Sequence, residues 1–378
     1  MKNVVRVAYF EKDNTALIAG PVRTLVEMLR CRVDITQIFV LPHWKQGPHL
    51  DLVIECDSTL FDAEIFPLCQ VHLRVWLQQH PSTTTLDPVA YEQLSQQLAL
   101  VEIEPPPYLP LLDNNSVTRA SYRQNSTLKL QQFMDLKAQF LHETSPLVFE
   151  LLELKQHAKG DFFVGLCLLL AGCGTAYSDG GLSRGFNSFR SHAEFFLVHY
   201  DRDGRLRQHF DAVAEKYAAA VRPSIAAILA GNLAEVTATP VIKSVFDRWM
   251  PLVQRYEQAI RKIVAENYEF LAGEEIFVDN LKSIAQHIPA HLHQNEKKGP
   301  MAIAIEQDEG QKMLKSPEFM AYRTLVNFFY FLLPPLNISP LEKYCICNMT
   351  AAAVETILDI SWRDLMIPGY TEARRVSV

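Results

Sequence analysis

Nowhere in the 378 residues is there a run of eighteen uncharged apolar residues, about the length a helix needs to cross a bilayer. The closest stretch, FFVGLCLLLAGCG at 162–174, is too short and reads as a buried helix. The opening MKNVVRVAYFEKDN turns acidic too early for a secretory signal. The seven cysteines include no CxxC pair and no Cys/His set with zinc-finger spacing. Their odd number, without a signal, points to reduced core thiols and a cytoplasmic location. An excess of positive charge is missing too: 36 Lys and Arg stand against 43 Asp and Glu, for a formal net charge of −7. That balance argues against a nucleic-acid partner. The glycine-containing stretch AGCGTAYSDGGLSRG (171–185) holds neither GxGxxG nor a P-loop. Without GxSxG a hydrolase elbow is not indicated either. The glycines of 171–185 suggest instead a mobile loop over a substrate.

What is present is ordinary globular material, with 48% hydrophobic and 21% charged residues. VVRVAYF (4–10) alternates like a strand, and 14–30 carries apolar residues at helical spacing. Residues 35–41 and 50–56 read as a strand pair around a turn, and 57–80 as a helix. The proline-rich VEIEPPPYLPLLDNNS (101–116) resists helix and sheet pairing. The expected organisation is therefore α+β: a mixed sheet-and-helix lobe over 1–105, a linker over 106–126, and a mainly helical lobe over 127–378. Helices are expected at 127–142, 145–157, 162–172, 188–200, 208–230, 240–272, 310–333 and 340–359. The last has a capping box in Ser339 and Glu342, with Pro340 in its first turn.

Two constellations carry chemistry. The turn IFVLPHWKQGPHLDLVI (38–54) places His43, Trp44, Lys45 and His49 between two apolar runs. Imidazoles exchange protons near neutrality, and loops held by a sheet are frequent sites of function. The same residues also fit a surface hairpin with Trp44 tucked beneath it. SRGFNSFRSHAEFFLVHYD (183–201) gathers Arg184, Arg190, Ser191, His192, Glu194, His199, Tyr200 and Asp201. There Arg190 suits a carboxylate or carbonyl, and His192 an acid or base. A helix with an internal Arg190–Glu194 ion pair fits equally. His192, Glu194 and His199 lack the HExxH spacing of a metalloprotease. HIPAHLH (287–293) reads as an exposed loop.

The stretch FVLPHWKQGPHLDLVIE (39–55) resembles a strand–turn–strand signature of the lantibiotic dehydratase C-terminal, or thiopeptide-type bacteriocin biosynthesis, superfamily. FNSFRSHAEFF (186–196) and YRTLVNFFYFLLPPLNISPLEKYCICNMTAAAVE (322–355) are similar to its middle and C-terminal blocks. The resemblance implies an elimination-domain-like fold and a role in maturing a ribosomally synthesised, post-translationally modified peptide. In full-length dehydratases this domain eliminates glutamate from glutamylated Ser or Thr. Free-standing relatives include thiopeptide pyridine synthases, which join two dehydroalanines by a formal aza-[4+2] cycloaddition and release the leader peptide.

Two departures bear on the reaction. Where arginines are expected after His49, this chain has Asp51 and Val53. Near the place of a histidine in the C-terminal block it has Asn327, which is no general base. Both favour the cyclising branch, with a stand-alone chain that lacks the adjoining glutamylation domain. In that reading His43, Lys45, His49, Arg190 and His192 are catalytic, and Trp44, Asp51, Arg184, Ser191, Tyr200, Asn327 and Tyr330 hold the peptide. No metal or organic cofactor is called for. The expected partners are a modified precursor peptide with its leader, bound by strand addition, and other biosynthetic enzymes. Glutamate elimination and a non-catalytic peptide-binding role stay open, as does the oligomeric state.

Overall fold

The computed structural model describes residues 1–102, 104–123, 130–273, 303 and 306–366. The chain divides into two compact units. One takes Met1–Glu153 and Pro334–Asn337; the other takes Leu154–Ala272 and the described residues from 303 to Leu333 and from Ile338 onward.

The first unit is built on a four-stranded sheet of order β2-β3-β1-β4. Its strands are β1 (Lys2–Ala8), β2 (Gln37–His43), β3 (His49–Glu55) and β4 (Ser116–Ser121). Every neighbouring pair is antiparallel. β3 is buried from His49 to Ile54, so it does not alternate as a half-exposed strand would. Its register sets Asp51 opposite Arg6 on one side and Leu41 on the other, and sets His49 opposite Ala8 and His43. Because side chains repeat every second residue, Arg6, Asp51, His49 and His43 fall on one face of the sheet.

Helix α1 (Arg23–Arg30) follows a π-helical turn at Ile18–Val22, and α2 (Phe66–Gln79) follows another at Phe61–Ile65. Pro88–Glu102 forms α3. The segment expected to be a linker between lobes belongs to this unit. It contains β4, and the proline-rich stretch before that strand is irregular. Helix α4 (Gln131–His157) runs unbroken where two helices were expected. Pro146 removes the amide that would bond to the carbonyl of His142. Arg30 Nη1 donates to that carbonyl instead at 2.5 Å, so the helix passes the proline with its acceptor satisfied.

The second unit packs around α5 (Lys159–Gly174), which is apolar on every side and almost wholly buried. Against it lie α6 (Leu182–Tyr200), α7 (Arg205–Leu229), α8 (Pro240–Glu266), α11 (Pro317–Phe331) and α12 (Pro340–Leu358). Short α9 (Tyr268–Ala272), α10 (Asp308–Lys315) and α13 (Trp362–Met366) are further helices among the described residues. The expected helix at 310–333 is two, because Ser316 caps a new start with Pro317 in its first turn. Ser339 and Glu342 form the expected capping box on α12. The mobile loop expected at 171–185 is instead a short turn between α5 and α6. A Cβ at Gly185 would lie 2.8 Å from the carbonyl oxygen of Gly174, so the glycine permits close helix packing rather than motion. Among the described residues no helix is long and apolar enough to cross a membrane.

Candidate functional site

The turn between β2 and β3 is held by its own backbone and by the proline-rich segment. Gly47 takes φ +105, a conformation open to glycine, and its amide donates to Trp44 O at 3.0 Å. Lys45 Nζ donates to Glu104 Oε1 at 3.0 Å and to Pro105 O at 2.6 Å. Trp44 Nε1 donates to Glu102 at 2.7 Å, and Tyr91 Oη donates to Trp44 O at 2.7 Å. Leu112 N donates to Gln46 O at 2.8 Å. The proline-rich stretch from Glu102 to Leu112 is thus a strap fastened over the turn, anchored in what was expected to be the end of the first lobe as well as in the linker.

Beneath it lies a compact polar cluster. Arg6 holds Asp51 by two hydrogen bonds of 2.7 Å, and Asp51 is buried. Glu104 also receives Arg123 Nη1 at 3.3 Å and lies 3.8 Å from His43 Nε2. The imidazoles of His43 and His49 are 5.6 Å apart, and His43 stacks on Trp44 at 5.3 Å. The amide of Lys45 donates to His43 Nδ1 at 2.9 Å, which fixes the neutral ring with its proton on Nε2. His49 Nδ1 faces Gly47 O at 2.8 Å and must donate to it, leaving Nε2 as an acceptor 3.4 Å from Arg123. Burial, reinforced by Arg123 and its neighbours, pushes the pKa of His43 down to about 2. Burial, opposed by Asp51, brings that of His49 to about 4. Both rings are neutral at pH 7, each with one nitrogen that gives a proton and one that takes it. Arg123, also lowered by burial, keeps its charge.

Asp51 therefore has a different part from that expected: its charge is matched by Arg6, and it stands within the sheet rather than facing a peptide. Sequence reading named neither Arg6 nor Arg123 nor Glu104. A signal for the first existed, since Arg6 and Asp51 each interrupt a short apolar run, VVRVA and LDLVI.

The other expected residues lie in the second unit. Arg190 is buried and donates to Asn348 Oδ1 at 2.5 Å and to Glu355. Glu194 lies 3.9 Å from Arg190 and takes two hydrogen bonds from Arg207, at 2.9 and 2.6 Å. Glu355 also accepts from Trp362 N at 2.8 Å. Arg190 thus ties α6 to α12, with Arg207 on α7 joined through Glu194. His192 Nδ1 meets Tyr330 Oη at 2.7 Å, and Tyr330 Oη lies 3.4 Å from Cys347 Sγ. Burial, with Lys343 and Arg323 nearby, lowers His192 to about 3, and burial raises Tyr330 and Cys347. The result is a chain of three uncharged groups able to pass a proton. Cys347 had no sequence signal beyond its type.

Several expected residues sit apart from both clusters. Arg184 is exposed and paired with Asp179. Ser191 Oγ donates to Ser188 O at 2.8 Å within its own helix. Tyr200 is exposed and rests against Phe196, with ring centres 4.7 Å apart. Asn327 is exposed on α11. Residues 287–293 lie outside the described residues. Among the described residues no group of three or more His, Cys, Asp or Glu side chains is placed to hold a metal ion.

The family profile described as "Lantibiotic biosynthesis dehydratase C-term" matches residues 4–305. The chain belongs to this family. Membership places this lantibiotic dehydratase C-terminal protein in the maturation of ribosomally synthesised peptides, with a precursor peptide as its expected partner. Its fold is similar to that of a solved structure titled "Pyridine synthase, TbtD, from thiomuracin biosynthesis". The two share 23% identity, over 95% of this chain and 99% of the other, with a TM-score of 0.68. It is also similar to TsrL, at 15% identity over 97% of each chain and a TM-score of 0.64. At these identities the likeness is one of fold. Among proteins of curated function, no sequence matches this member of the family.

Proposed function

We propose that the chain is a peptide-tailoring enzyme that joins two dehydroalanines of a precursor peptide in a pyridine-forming aza-[4+2] reaction and releases the leader. The observation that carries this reading is the charge state of the first unit's cluster. His43 and His49 are neutral, Arg6 is committed to Asp51, and Lys45 and Arg123 share Glu104. Elimination of a glutamyl group needs cations available to its carboxylates. Here each cation already faces a carboxylate of the protein.

Cyclisation asks for something else. A peptide amide must pass to its imidic acid tautomer, losing the proton on nitrogen and gaining one on oxygen, before its C=N unit can add to the second alkene. His43, with Nδ1 engaged by the Lys45 amide, keeps its Nε2–H to offer to the amide oxygen as the tautomer forms. His43, on the more accessible side of the cluster, is the group that would meet the peptide, and the enclosed His49 would orient it. The chain His192–Tyr330–Cys347 offers a second route for protons in the other unit. The likeness of fold to a pyridine synthase supports the same reading.

The test is to add the protein to a dehydroalanine-containing precursor with its leader and follow mass. A product short of the leader and one water is expected. Unchanged mass with every cognate precursor sinks the reading. Membership of a dehydratase family favours glutamate elimination as the second reading; loss of free glutamate from a glutamylated peptide would select it.

A further inference from the structure

Each residue of an antiparallel sheet turns its N–H and C=O to one side, so the register decides which residues of the edge strands face outward. Both the amide nitrogen and the carbonyl oxygen of Ile38 lie 3.1 Å from His142 Nδ1. Ile38 therefore faces away from β3, and so do Val40 and Pro42 on the same strand. Ile38 pairs with Ile54, Ile54 with Asn3, and Asn3 with Ser121. Followed across these pairs, the alternation turns Ile54 toward β1, Asn3 toward β3, and Ser121 outward with Arg119 and Val117. The hydrogen bond from Gln70 Nε2 to Val117 O, at 3.2 Å, comes from outside the sheet and agrees with that phase.

The two edges are unlike. On β2, His142 closes Ile38, Val40 is buried beside Leu141, Thr144 and Val148 of α4, and Pro42 has no N–H to give. On β4, Gln70 of α2 closes the carbonyl of Val117, and Arg119 and Ser121 are exposed. Among the described residues nothing outside the sheet bonds to the backbone of these two, so each presents an N–H and a C=O. The Arg119 side chain is held by Asp62 at 2.5 Å and lies 4.7 Å over the Phe66 ring, at the start of α2.

We propose that the outer edge of β4, at Arg119 and Ser121, receives an extended segment of the precursor peptide as a fifth strand, and that β2 does not. Backbone hydrogen bonds make this contact, and pockets for alternate side chains add to it. Two outward residues give a second copy of the chain little to bury against a standard interface of about 1,600 Å². A peptide can pair here and run on past the strand. The inference rests on the precursor peptide that family membership implies, and not on cyclisation.

The experiment uses the full chain and needs no turnover. A fluorescently labelled precursor, its leader alone and its core alone are titrated against native protein, Arg119→Pro and Arg119→Ala. Proline at 119 removes an outward N–H that β1 does not use, whereas alanine removes only the side chain and its surface ion pair. Arg119→Pro is expected to weaken precursor binding by about tenfold or more, and Arg119→Ala by no more than about threefold. The fragment that keeps the affinity names the segment that pairs. Amide exchange should slow at Arg119 and Ser121 on adding precursor and stay unchanged at Ile38. Native affinity in a folded Arg119→Pro overturns the proposal, as does slowed exchange at Ile38 alone. Protection of Arg119 and Ser121 without peptide, together with a dimer in sedimentation, assigns the edge to a second copy and also overturns it. Should Arg119→Pro melt early, Ser121→Pro removes the other outward N–H, and native affinity there refutes the added strand.

Discussion

Arg6 and Asp51 stand directly opposite on β1 and β3 and are joined by two hydrogen bonds of 2.7 Å inside the sheet. Neither residue suits a buried strand alone. Together they cancel charge and satisfy each other's hydrogen bonds, which is the condition under which a buried ion pair is tolerated. The pair also keeps an acidic residue on β3 from acting on anything outside the sheet.

Removing one partner should be far worse than removing both. Asp51→Ala leaves Arg6 charged and enclosed, and the expected loss of stability is about 3–5 kcal/mol. Arg6→Met combined with Asp51→Leu should recover most of it. Urea melts of the native, single and double variants check this, and an additive double variant would refute the pairing.

Acid should unfold the protein through its histidines. Folding lowers the pKa of His43, His49 and His192 from 6.5 to about 2, 4 and 3. The unfolded chain takes up their protons below pH 6.5, while the folded chain does not. Stability is therefore greatest above that value and falls as pH drops from 6.5 toward 4. Each such imidazole contributes a slope of about 1.4 kcal/mol per pH unit. Melts at pH 7 and 5 measure the fall, and His49→Gln should make it shallower.

Gly47 should not accept a side chain. A Cβ there would lie 2.7 Å from the Phe10 ring, and φ of +105 is unfavourable for any L residue. Gly47→Ala is expected to cost about 1–3 kcal/mol. Phe10→Ala relieves the contact but costs core burial of its own, so thermal melting of the single and double variants should show losses that sum to less than additive.

Under the proposed function, His43→Ala should slow cyclisation of the precursor by about 10²–10⁴-fold. The folded protein's rate should not fall as pH is lowered to 6, because the ring stays neutral far below that value. A rate that drops by half near pH 6.5 would assign the proton transfer to another group.

The class of fold was legible because helices such as 340–359 announce themselves by spacing and caps: Ser339, Pro340 and Glu342 together mark one start unambiguously. The fourth strand was not, because SVTRAS follows a run of prolines and has only short apolar alternation. Its place is set by pairing with β1, a contact more than a hundred residues distant in the chain. The turn carrying His43, Lys45 and His49 was visible as polar residues between two apolar runs. Its partners Glu104 and Arg123 were hidden for the same reason as the strand: only folding brings the strap to the turn. Arg190 was read as facing a peptide because one chain segment shows an arginine but not the Asn348 and Glu355 that occupy it.

The distribution of cysteines has a practical consequence. Six of the seven are buried, and burial raises the thiol pKa of each, so they resist alkylation. Cys31 alone is exposed, at the C-terminal end of α1. A maleimide dye added to the native protein should therefore attach at one known place, giving a spectroscopic reporter on the sheet-bearing unit without any engineered residue.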